Sequence, residues 1–598
     1  MAPGTANDRD PPRWRWWLVF AFGLLTVGCG AIGVWKYEEK FFPGIRHGLS
    51  PLYHAAQMLI LHSAHFDRGV NGWIEAGRWF GAATLFSATA VLLGRRLRHE
   101  FGLLRLATWE DHYVVCGLGQ KGFEVAMCYR KRDHNAKVAI VDLRPDERLL
   151  EKCEKAGISV LTGDATQSKI LRQIRGAHAR EVVVVTPADE INVRIATELR
   201  TQISQRNGKA LPCYVHVSDI HLREALQQWV EGQKNGGCSL HFFDVFDNEA
   251  RRVLLELPID GAGIRHDEPT SVHVVVIGFG RMGRSIALRA AKIGQFANGK
   301  PLRISVIDRD ARNQRQRFLF RHPILANNTI CNLEFHRAEA ESLSARNLIE
   351  QWSSEPDILL HVFLCLHDDA RAVEVAFRSA AVLQSRPNRN LLVRIRSRES
   401  LGPILEAYAS PQFRIKPFGM IEDACSEEAF RHEFNEGLAR GIHEQFVLDV
   451  QSTSLRTRTN DPALREWEEL REDFRESNRQ QADHLEVKLR AIACRVVDVS
   501  AAGPGIETFH PQEVEMLAEL EHRRWCAERL LAGWRYGTPS DKKQRVSENL
   551  GSWEELDVSI QKYDRNTVTQ IPAFLSKIGK KVCRAEQKES LTIPKMPG

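Results

Sequence analysis

The sequence predicts an α/β protein: two membrane helices, then two tandem doubly wound folds on parallel sheets, then α-helical repeats. Three observations predict this order. An apolar run ending in glycines at G-x-G-x-x-G spacing occurs twice, followed each time by a helical pattern, a second apolar run and an acid. Two long uncharged segments precede both copies. A Trp-Glu-Glu-Leu segment recurs near the C-terminus at a fixed offset.

In the first copy Tyr113-Val-Val-Cys116 leads into Gly117-Leu-Gly119-Gln120-Lys-Gly122. The first glycine permits a tight turn, the second lets a pyrophosphate reach the backbone, and the third lets helix and strand pack closely. The helix that begins at Gln120 turns unpaired N–H groups and a positive dipole end toward the phosphates. The next apolar run, Val138–Val141, ends in Asp142, 20 residues past Gly122, where a carboxylate can take two ribose hydroxyls. Strands Ile158–Leu161, Glu181–Val185 and Cys213–Val217 follow, the last closing the series, with helices Asp146–Ala156 and Ile191–Arg200 between them. Alternating strands and helices imply a parallel, doubly wound, Rossmann-type sheet.

At 598 residues the chain is too long for one core. Its 43% apolar and 26% charged content suits globular domains. The balance of 82 basic against 76 acidic residues, without a basic stripe carrying aromatics, implies no nucleic-acid partner. The 12 cysteines lack any C-x-x-C pair and read as reduced thiols.

Residues 1–12 form a polar, disordered tail. Residues 13–100 form the membrane region. Trp16–Trp35 is 20 uncharged residues long, enough helix to span a bilayer, behind Arg9, Arg13 and Arg15. Trp79–Gly94 is 16 uncharged residues and ends in Arg95-Arg-Leu-Arg98. Basic residues outside both segments place both termini in the cytoplasm and the Lys36–Arg78 loop outside, in a multi-pass inner-membrane protein. Within that loop Ser50–His62 reads as an amphipathic helix. The layout suggests a two-span potassium channel, but no T-V-G-Y-G type filter follows the helix; Ser63-Ala-His-Phe-Asp-Arg-Gly-Val stands there.

The strand ends of the first copy carry a family resemblance. The run G-L-G-Q-K-G, then Asp142, then Gly163-Asp164-Ala-Thr, then Thr186-Pro-Ala-Asp-Glu-Ile-Asn192 resembles an RCK (TrkA-N) domain, the cytosolic nucleotide-binding regulator of potassium channels and transporters. The resemblance implies that Gly117, Gly119, Gln120, Gly122 and Asp142 hold NAD(H) or an adenine nucleotide (ATP or ADP). Asp164 and Thr186 would border the adenosine. It also implies a homo-oligomer, a dimer or higher. This domain is expected over 110–262.

The second copy, over 270–425, has Val272–Ile277, Gly278-Phe-Gly280-Arg-Met-Gly283, strand Ile304–Ile307 and Asp308. Gly278, Gly280, Gly283 and Asp308 are its candidate ligand residues. It departs further: His336-Arg-Ala-Glu339 stands where G-D-A-T would, and an insertion around Gln314–Asn328 enlarges the turn after Asp308. Phosphate binding and a degenerate copy that serves as an interface are the two alternatives here.

Beyond Ser426 helical patterns take over. Ala424–Phe446 is amphipathic, Arg456–Asn460 is a polar loop, and a helical stretch runs from Trp467 to Val497. The run Trp467-Glu-Glu-Leu…Val496 aligns without gaps on Trp553-Glu-Glu-Leu…Val582 at an offset of 86, an internal duplication. The stretch Leu517…Trp525…Arg529…Gly533-Trp534-Arg-Tyr536-Gly537 resembles the ryanodine-receptor (RyR) repeat. The repeat is expected over 511–585 and, in degenerate form, over 426–500, where the W-x-x-x-R…G-W-x-Y-G segment is lost. Arg529, Trp534 and Tyr536 are candidates to stack a base and pair with a phosphate. Trp525, at helical spacing to Leu517 and Leu520, reads as core.

No H-E-x-x-H, P-loop lysine or G-x-S-x-G occurs, and no substrate domain faces the glycine turns. The expectation is a protein that is not an enzyme: a membrane-anchored, nucleotide-gated regulator in the lipid bilayer, with potassium as the candidate cation. The alternatives are a non-conducting signalling or defence effector whose RyR repeats bind a nucleotide-type ligand or partner, and an NAD-dependent oxidoreductase.

Overall fold

The computed structural model describes residues 13–43, 48–62, 69–106, 108–203, 210–231, 237–384, 387–396, 404–405, 414–426, 435–453, 461–467, 469–541 and 544–585. The N-terminal tail with Arg9, the segment Ser63–Arg68 in the filter position, Glu427-Glu428 and the loop Arg456–Asn460 lie outside them. So do the side chains of Arg13, Arg15, Trp16 and Arg95–Arg98. The chain forms two compact units. One holds the residues up to Trp109 with Gln173–Arg175, the other holds the rest.

The first unit is helical: α1 (Arg13–Phe41), α2 (Ser50–Gln57) with a 3-10 turn Met58–Ile60, and α3 (Gly72–Leu106). Among the described residues one segment, Trp17–Phe41 of α1, is long and apolar enough to cross a membrane. Glycines set the contact between α1, α2 and α3. A Cβ at Gly33 would stand 2.6 Å from the Ile74 amide nitrogen, and one at Gly77 would stand 3.0 Å from Gly30. Small residues let helix backbones approach this closely. Asn71 closes the junction: its carboxamide donates to Gly33 O (2.9 Å), and its Oδ1 accepts from Ile74 N (3.0 Å).

The second unit opens with β1 (Tyr113–Cys116), α4 (Gln120–Arg132), β2 (Val138–Asp142), α5 (Glu147–Lys155), β3 (Ser159–Thr162), α6 (Ser168–Gln173), β4 (Glu181–Val184) and α7 (Asp189–Gln202). Then come β5 (Leu211–His216), α8 (Ile220–Glu231), β6 (Cys238–Phe243) and α9 (Val245–Glu256). Valine-rich strands buried on both faces form a parallel sheet in the order 3-2-1-4-5-6. The series does not close at β5: β6 continues it, pairing in parallel with β5.

The second copy has β7 (Ser271–Ile277), α10 (Arg281–Ile293), β8 (Leu302–Asp308), α11 (Ala311–Arg321), β9 (Cys331–Arg337) and α12 (Leu343–Ser353). It continues with β10 (Ile358–Leu364), α13 (Asp369–Leu383), β11 (Arg389–Arg394), β12 (Arg414–Phe418) and α14 (Ile421–Ala424). Its strand order, 9-8-7-10-11-12, is the same. The insertion Gln314–Asn328 is not an enlarged turn. It completes α11 and a 3-10 turn, because Phe318 and Leu325 bury themselves against the sheet.

The helix after each sixth strand crosses to the other fold. Ala250, Val253 and Leu254 of α9 join the core around α10, and Ala424 and Cys425 at α14 join the core around α4. The two folds are therefore locked by reciprocal exchange.

The C-terminal region is not purely helical. It holds α15 (Glu436–Thr453), α16 (Glu472–Ala491), β13 (Cys494–Asp498), α17 (Pro511–Leu531), the short strands β14 (Arg535–Tyr536) and β15 (Val546–Ser547), α18 (Val558–Thr569), α19 (Ile571–Lys577) and β16 (Lys580–Arg584). The pattern read as one helix over Ala424–Phe446 is broken: α14 ends at Ala424, and α15 starts after Asn435, whose φ is +54°. Val496 and Val497 belong to a strand, because β13 pairs antiparallel with β16. The repeats are fused to the folds, since Val487 of α16 and Ala527 of α17 lie in the core of the second copy.

Candidate functional site

The glycines of the first turn differ in what holds them. Gly117 has φ +111°, and a Cβ there would stand 3.0 Å from Thr186 N. A Cβ at Gly122 would stand 1.8 Å from Gly117 O, so only glycine lets α4 lie this close to its strand. Gly119 is under neither constraint. Its φ of −92° and ψ of −175° are extended backbone open to any residue, and a Cβ there would meet nothing within 4 Å. Gly119 is also the N-cap of α4 and supplies no side-chain hydrogen bond, so the first-turn amides stay available at the positive end of the helix.

Asp142 is fixed beside this turn. Its Oδ2 accepts from Leu118 N (2.6 Å) and its Oδ1 from Arg144 N (2.7 Å). Each oxygen keeps a lone pair for a ribose hydroxyl. Asp164 folds into a tight turn, accepting from Thr166 N (2.9 Å) and Thr166 Oγ1 (2.8 Å), and these bonds hold its carboxyl below the usual range. The Thr186 hydroxyl is committed to Asn192 Oδ1 (2.6 Å), so Thr186 serves the shape of the crevice more than its hydrogen bonding. Gln120 donates to Glu124 Oε1 (3.0 Å) on the same helix. Cys116 is buried, and burial pushes its thiol up to about 12.

The second crevice repeats this geometry. Gly278 has φ +89°, Gly283 would clash with Gly278 O at 2.3 Å, and a Cβ at Gly280 would meet nothing. Asp308 accepts from Phe279 N (2.7 Å) and Asp310 N (2.8 Å). The third strand end is closer to the first copy than its sequence suggests. Gly163 N donates to Asp142 O (2.9 Å) and Ala338 N to Asp308 O (3.3 Å), so Glu339 stands in the place of Asp164.

The far ends of the crevices differ. In the first, Lys121 Nζ lies 3.4 Å from His216 Nε2, which lies 3.6 Å from Asp244 Oδ1. Burial, with the nearby Arg281, lowers the pKa of Lys121, and Cys425, Asp244 and Asp189 act against it. In the second, Val217 N→Phe243 O and Ile395 N→Phe418 O occupy matching positions. Arg394 therefore replaces His216, and Gly419 replaces Asp244. Lys121 lies inside the first glycine turn and Asp189 in the run after Thr186, but His216, Asp244, Arg394 and Gly419 carried no motif; the carboxyl ends of β5, β6, β11 and β12 place them.

The two repeats enclose a cavity of about 200 Å³. Phe446 of α15, Asn478 of α16, Trp525 and Arg529 of α17 and Tyr563 of α18 line it. Trp525 is thus half-buried and faces the cavity rather than a core, because its helix turns Leu517 and Leu520 the other way. The Arg529 guanidinium lies between two rings, 5.7 Å from the Trp525 centroid and 5.3 Å from the Trp534 centroid. Tyr536 is 63% exposed on β14 and does not line the cavity.

The degenerate repeat keeps the framework of the other. Glu436, Arg479 and Trp467 in the first repeat make the same contacts as Glu515, Arg565 and Trp553 in the second. His443 donates to Arg465 O as His522 does to Gly551 O. Glu436 and Glu515 are 79 residues apart, not 86, so the helices before the Trp-Glu-Glu-Leu segment align only with a gap. On that alignment Phe446 and Val450 occupy the places of Trp525 and Arg529. At these two positions one repeat places a ring and a cation, and the other places only apolar side chains.

Comparison with known proteins agrees with this architecture. Residues 113–229 match the family model of the TrkA-N domain, and residues 505–584 match that of the RyR domain. "Potassium channel protein 1" of Methanocaldococcus jannaschii is 29% identical over 129 residues, 21% of this chain and 38% of that protein. An uncharacterized protein of Methanothermus fervidus is 27% identical over 96 residues, 16% of this chain and 15% of that one. The chain therefore spans well under half the length of either relative. Among solved structures, GsuK bound to ADP is similar with a TM-score of 0.37 and 15% identity, over 70% of this chain and 98% of that one. The human SLO3 gating ring is similar with a TM-score of 0.36 and 11% identity, over 55% and 84%. One polypeptide thus carries a match to the TrkA-N domain and a match to the RyR domain.

Proposed function

We infer that the protein is a nucleotide-sensing regulator anchored in a membrane by its helical unit. NAD(H) or an adenine nucleotide would settle its diphosphate against Gly119 and the start of α4, with its ribose on Asp142. The observation that carries this reading is Gly119 itself. Neither its backbone angles nor its neighbours require glycine, whereas a diphosphate lying against the peptide would. The TrkA-N match and the similarity to a potassium channel protein support the regulatory role.

The signal would pass through the exchanged helices. A nucleotide at α4 bears on α14, and through it on the second fold and the repeats. Such a ligand shifts the protein only if it binds two arrangements unequally. The helices α1 and α3 would form the membrane anchor, both termini cytoplasmic, in a homo-oligomer. Potassium is the candidate ion.

The second reading is a signalling effector that conducts nothing and takes a nucleotide-type ligand in the inter-repeat cavity. Arg529 favours it: a half-buried cation held between Trp525 and Trp534 suits a base stacked on the ring and a phosphate on the guanidinium.

Calorimetric titration of the full-length protein with NADH and ATP tests the site. Cation flux in liposomes, with and without the bound nucleotide, separates the two readings. Binding that persists unchanged in Gly119→Val defeats the assignment of the first crevice.

A further inference from the structure

The second repeat sets a thiol, an imidazole and a carboxylate in a row. Cys526 and His522 lie one turn apart on α17, and Asp564 reaches the ring from α18. The Cys526 sulfur stands 3.3 Å from His522 Nε2, and His522 Nδ1 stands 3.5 Å from Asp564 Oδ2. His522 and Asp564 are buried, whereas Cys526 is partly exposed. The Nε2 hydrogen is shared with Gly551 O at 3.0 Å. Glu521 and Arg524 also face Asp564, and they pair with each other at 2.9 Å. Arg523, three residues before Cys526, turns to Glu519 at 3.6 Å. Arg529, three residues after it, is stacked between Trp525 and Trp534.

The first repeat shows which of these contacts belong to the framework. His443 bonds Arg465 O at 2.7 Å as His522 bonds Gly551 O, so the carbonyl contact is common to both repeats. On the alignment above, Val447 stands in the place of Cys526 and Asn478 in the place of Asp564. Val447 is buried with Val450 and Leu464, and Asn478 donates to Phe474 O at 2.8 Å. The thiol and the acid therefore come together in one repeat and go together in the other. A neutral imidazole suffices for the carbonyl bond. A carboxylate at Nδ1 stabilises a second proton on the ring, which makes it a cation beside the sulfur. The chain's other thiols have a different setting. Cys116, Cys153, Cys331, Cys365 and Cys425 are buried, and burial pushes each up to about 12. Cys128 on α4 is partly exposed, as Cys526 is, and serves as the internal reference.

We propose that Cys526 is a reactive thiol, held as the thiolate by the His522 cation, and that it is a site of oxidation by hydroperoxides. The thiolate attacks the terminal peroxide oxygen. An S–O bond forms as the O–O bond breaks, so sulfur is oxidised to the sulfenic acid and the peroxide is reduced. The leaving oxygen takes the proton from His522 Nε2 and departs as water or an alcohol. His522 is then neutral beside Asp564, which lines the inter-repeat cavity. Oxidation at the partly exposed thiol thus changes the charge behind the cavity wall.

The test uses the full-length protein, hydrogen peroxide as the oxidant, and dimedone to trap the sulfenic acid, with each cysteine read by peptide mass spectrometry. Cys526 is expected to label at least tenfold faster than Cys128. Alkylation of Cys526 by iodoacetamide is expected to change less than threefold between about pH 6 and about pH 8, where the rate at an ordinary thiol climbs steeply with the thiolate fraction. His522→Gln and Asp564→Asn are each expected to slow trapping at least tenfold and to restore the climb with pH. Melting curves accompany both variants, and Asp564→Asn, which keeps the shape of the side chain, carries the test if His522→Gln does not fold. Cys526→Ser supplies a reading from the other partner. The sulfur is one of the groups that raise the His522 pKa, so the fall of the melting temperature with pH is expected to begin at lower pH in this variant. The proposal is overturned if Cys526 labels no faster than Cys128, or if its alkylation climbs with pH as steeply. Trapping at an unchanged rate in folded Asp564→Asn overturns it too, because the thiol then owes nothing to the cation.

Discussion

Arg251 and Asp483, 232 residues apart in the chain, form a bidentate ion pair inside the protein, with Nε–Oδ2 at 2.7 Å and Nη2–Oδ1 at 2.8 Å. The two side chains are 3% and 1% exposed. Arg251 comes from α9 of the first fold and Asp483 from α16 of the first repeat. Arg289 of the second fold approaches the same carboxylate at 3.7 Å and also holds Asp247. Two nucleotide folds and a repeat thus meet at one buried charge cluster. The opposite face of α16, through Phe474, Asn478 and Gln481, lines the inter-repeat cavity.

Removing Asp483 leaves the buried Arg251 without its bidentate partner, while Arg289 keeps Asp247. Asp483→Ala is expected to destabilise the second unit by about 3–5 kcal/mol, whereas Arg251→Met with Asp483→Leu is expected to cost far less. Denaturant unfolding followed by tryptophan fluorescence compares the two. Equal losses would mean that the pair contributes by shape alone.

The glycines of the first turn separate stability from binding. Gly122→Ala drives a methyl group into Gly117 O and is expected to lower stability by about 1–3 kcal/mol or more. Gly119→Val is expected to leave the melting temperature within about 1 °C, since its side chain meets open space, while costing at least about tenfold in nucleotide affinity, or about 1.4 kcal/mol. Melting curves and calorimetry on both variants decide this. A destabilised Gly119→Val would remove the argument for a ligand at that position.

The RyR repeat carries a titration that can be read directly. Burial opposes charge on His522, but Asp564 at 3.5 Å from Nδ1, the Cys526 sulfur and the Gly551 carbonyl outweigh it and raise its pKa to about 10. The folded value lies above the unfolded value of about 6.5. The stabilisation is therefore complete below about pH 6.5 and is lost as pH rises toward 10. Glu521 and Arg524, which also face Asp564, keep their charges across this window. The melting temperature of the protein is expected to fall between pH 7 and 10 in the unaltered chain and to change less in His522→Gln. Parallel curves would show that His522 is neutral in the folded state.

In the helical unit, Gly33 and Gly28 make a matched pair. A Cβ at Gly33 collides with the Ile74 backbone, and one at Gly28 meets nothing. Gly33→Leu is expected to destabilise the helix pair by about 1–3 kcal/mol, and Gly28→Leu to leave it unchanged. Thermal stability of the detergent-extracted protein measures the difference. Equal behaviour would mean that the helices do not need this close approach.

The sequence alone determined the two parallel sheets and the places of Gly117, Gly119, Asp142 and their counterparts at Gly278, Gly280 and Asp308. It did so because an apolar run, a glycine turn and a terminal acid are local features, each written within a few residues. It also showed the duplication from Trp467 to Trp553, which is a matter of spacing. Tertiary structure decided what no spacing records. It turned Trp525 from core to cavity wall, put Arg394 where the first copy has His216, and left Tyr536 away from Arg529. It also made β13 and β16 a pair, with Val496 opposite Val582, from segments that read as helix ends. Each of these depends on which surface another element covers, and burial against a distant partner is a property of the folded chain rather than of any stretch within it.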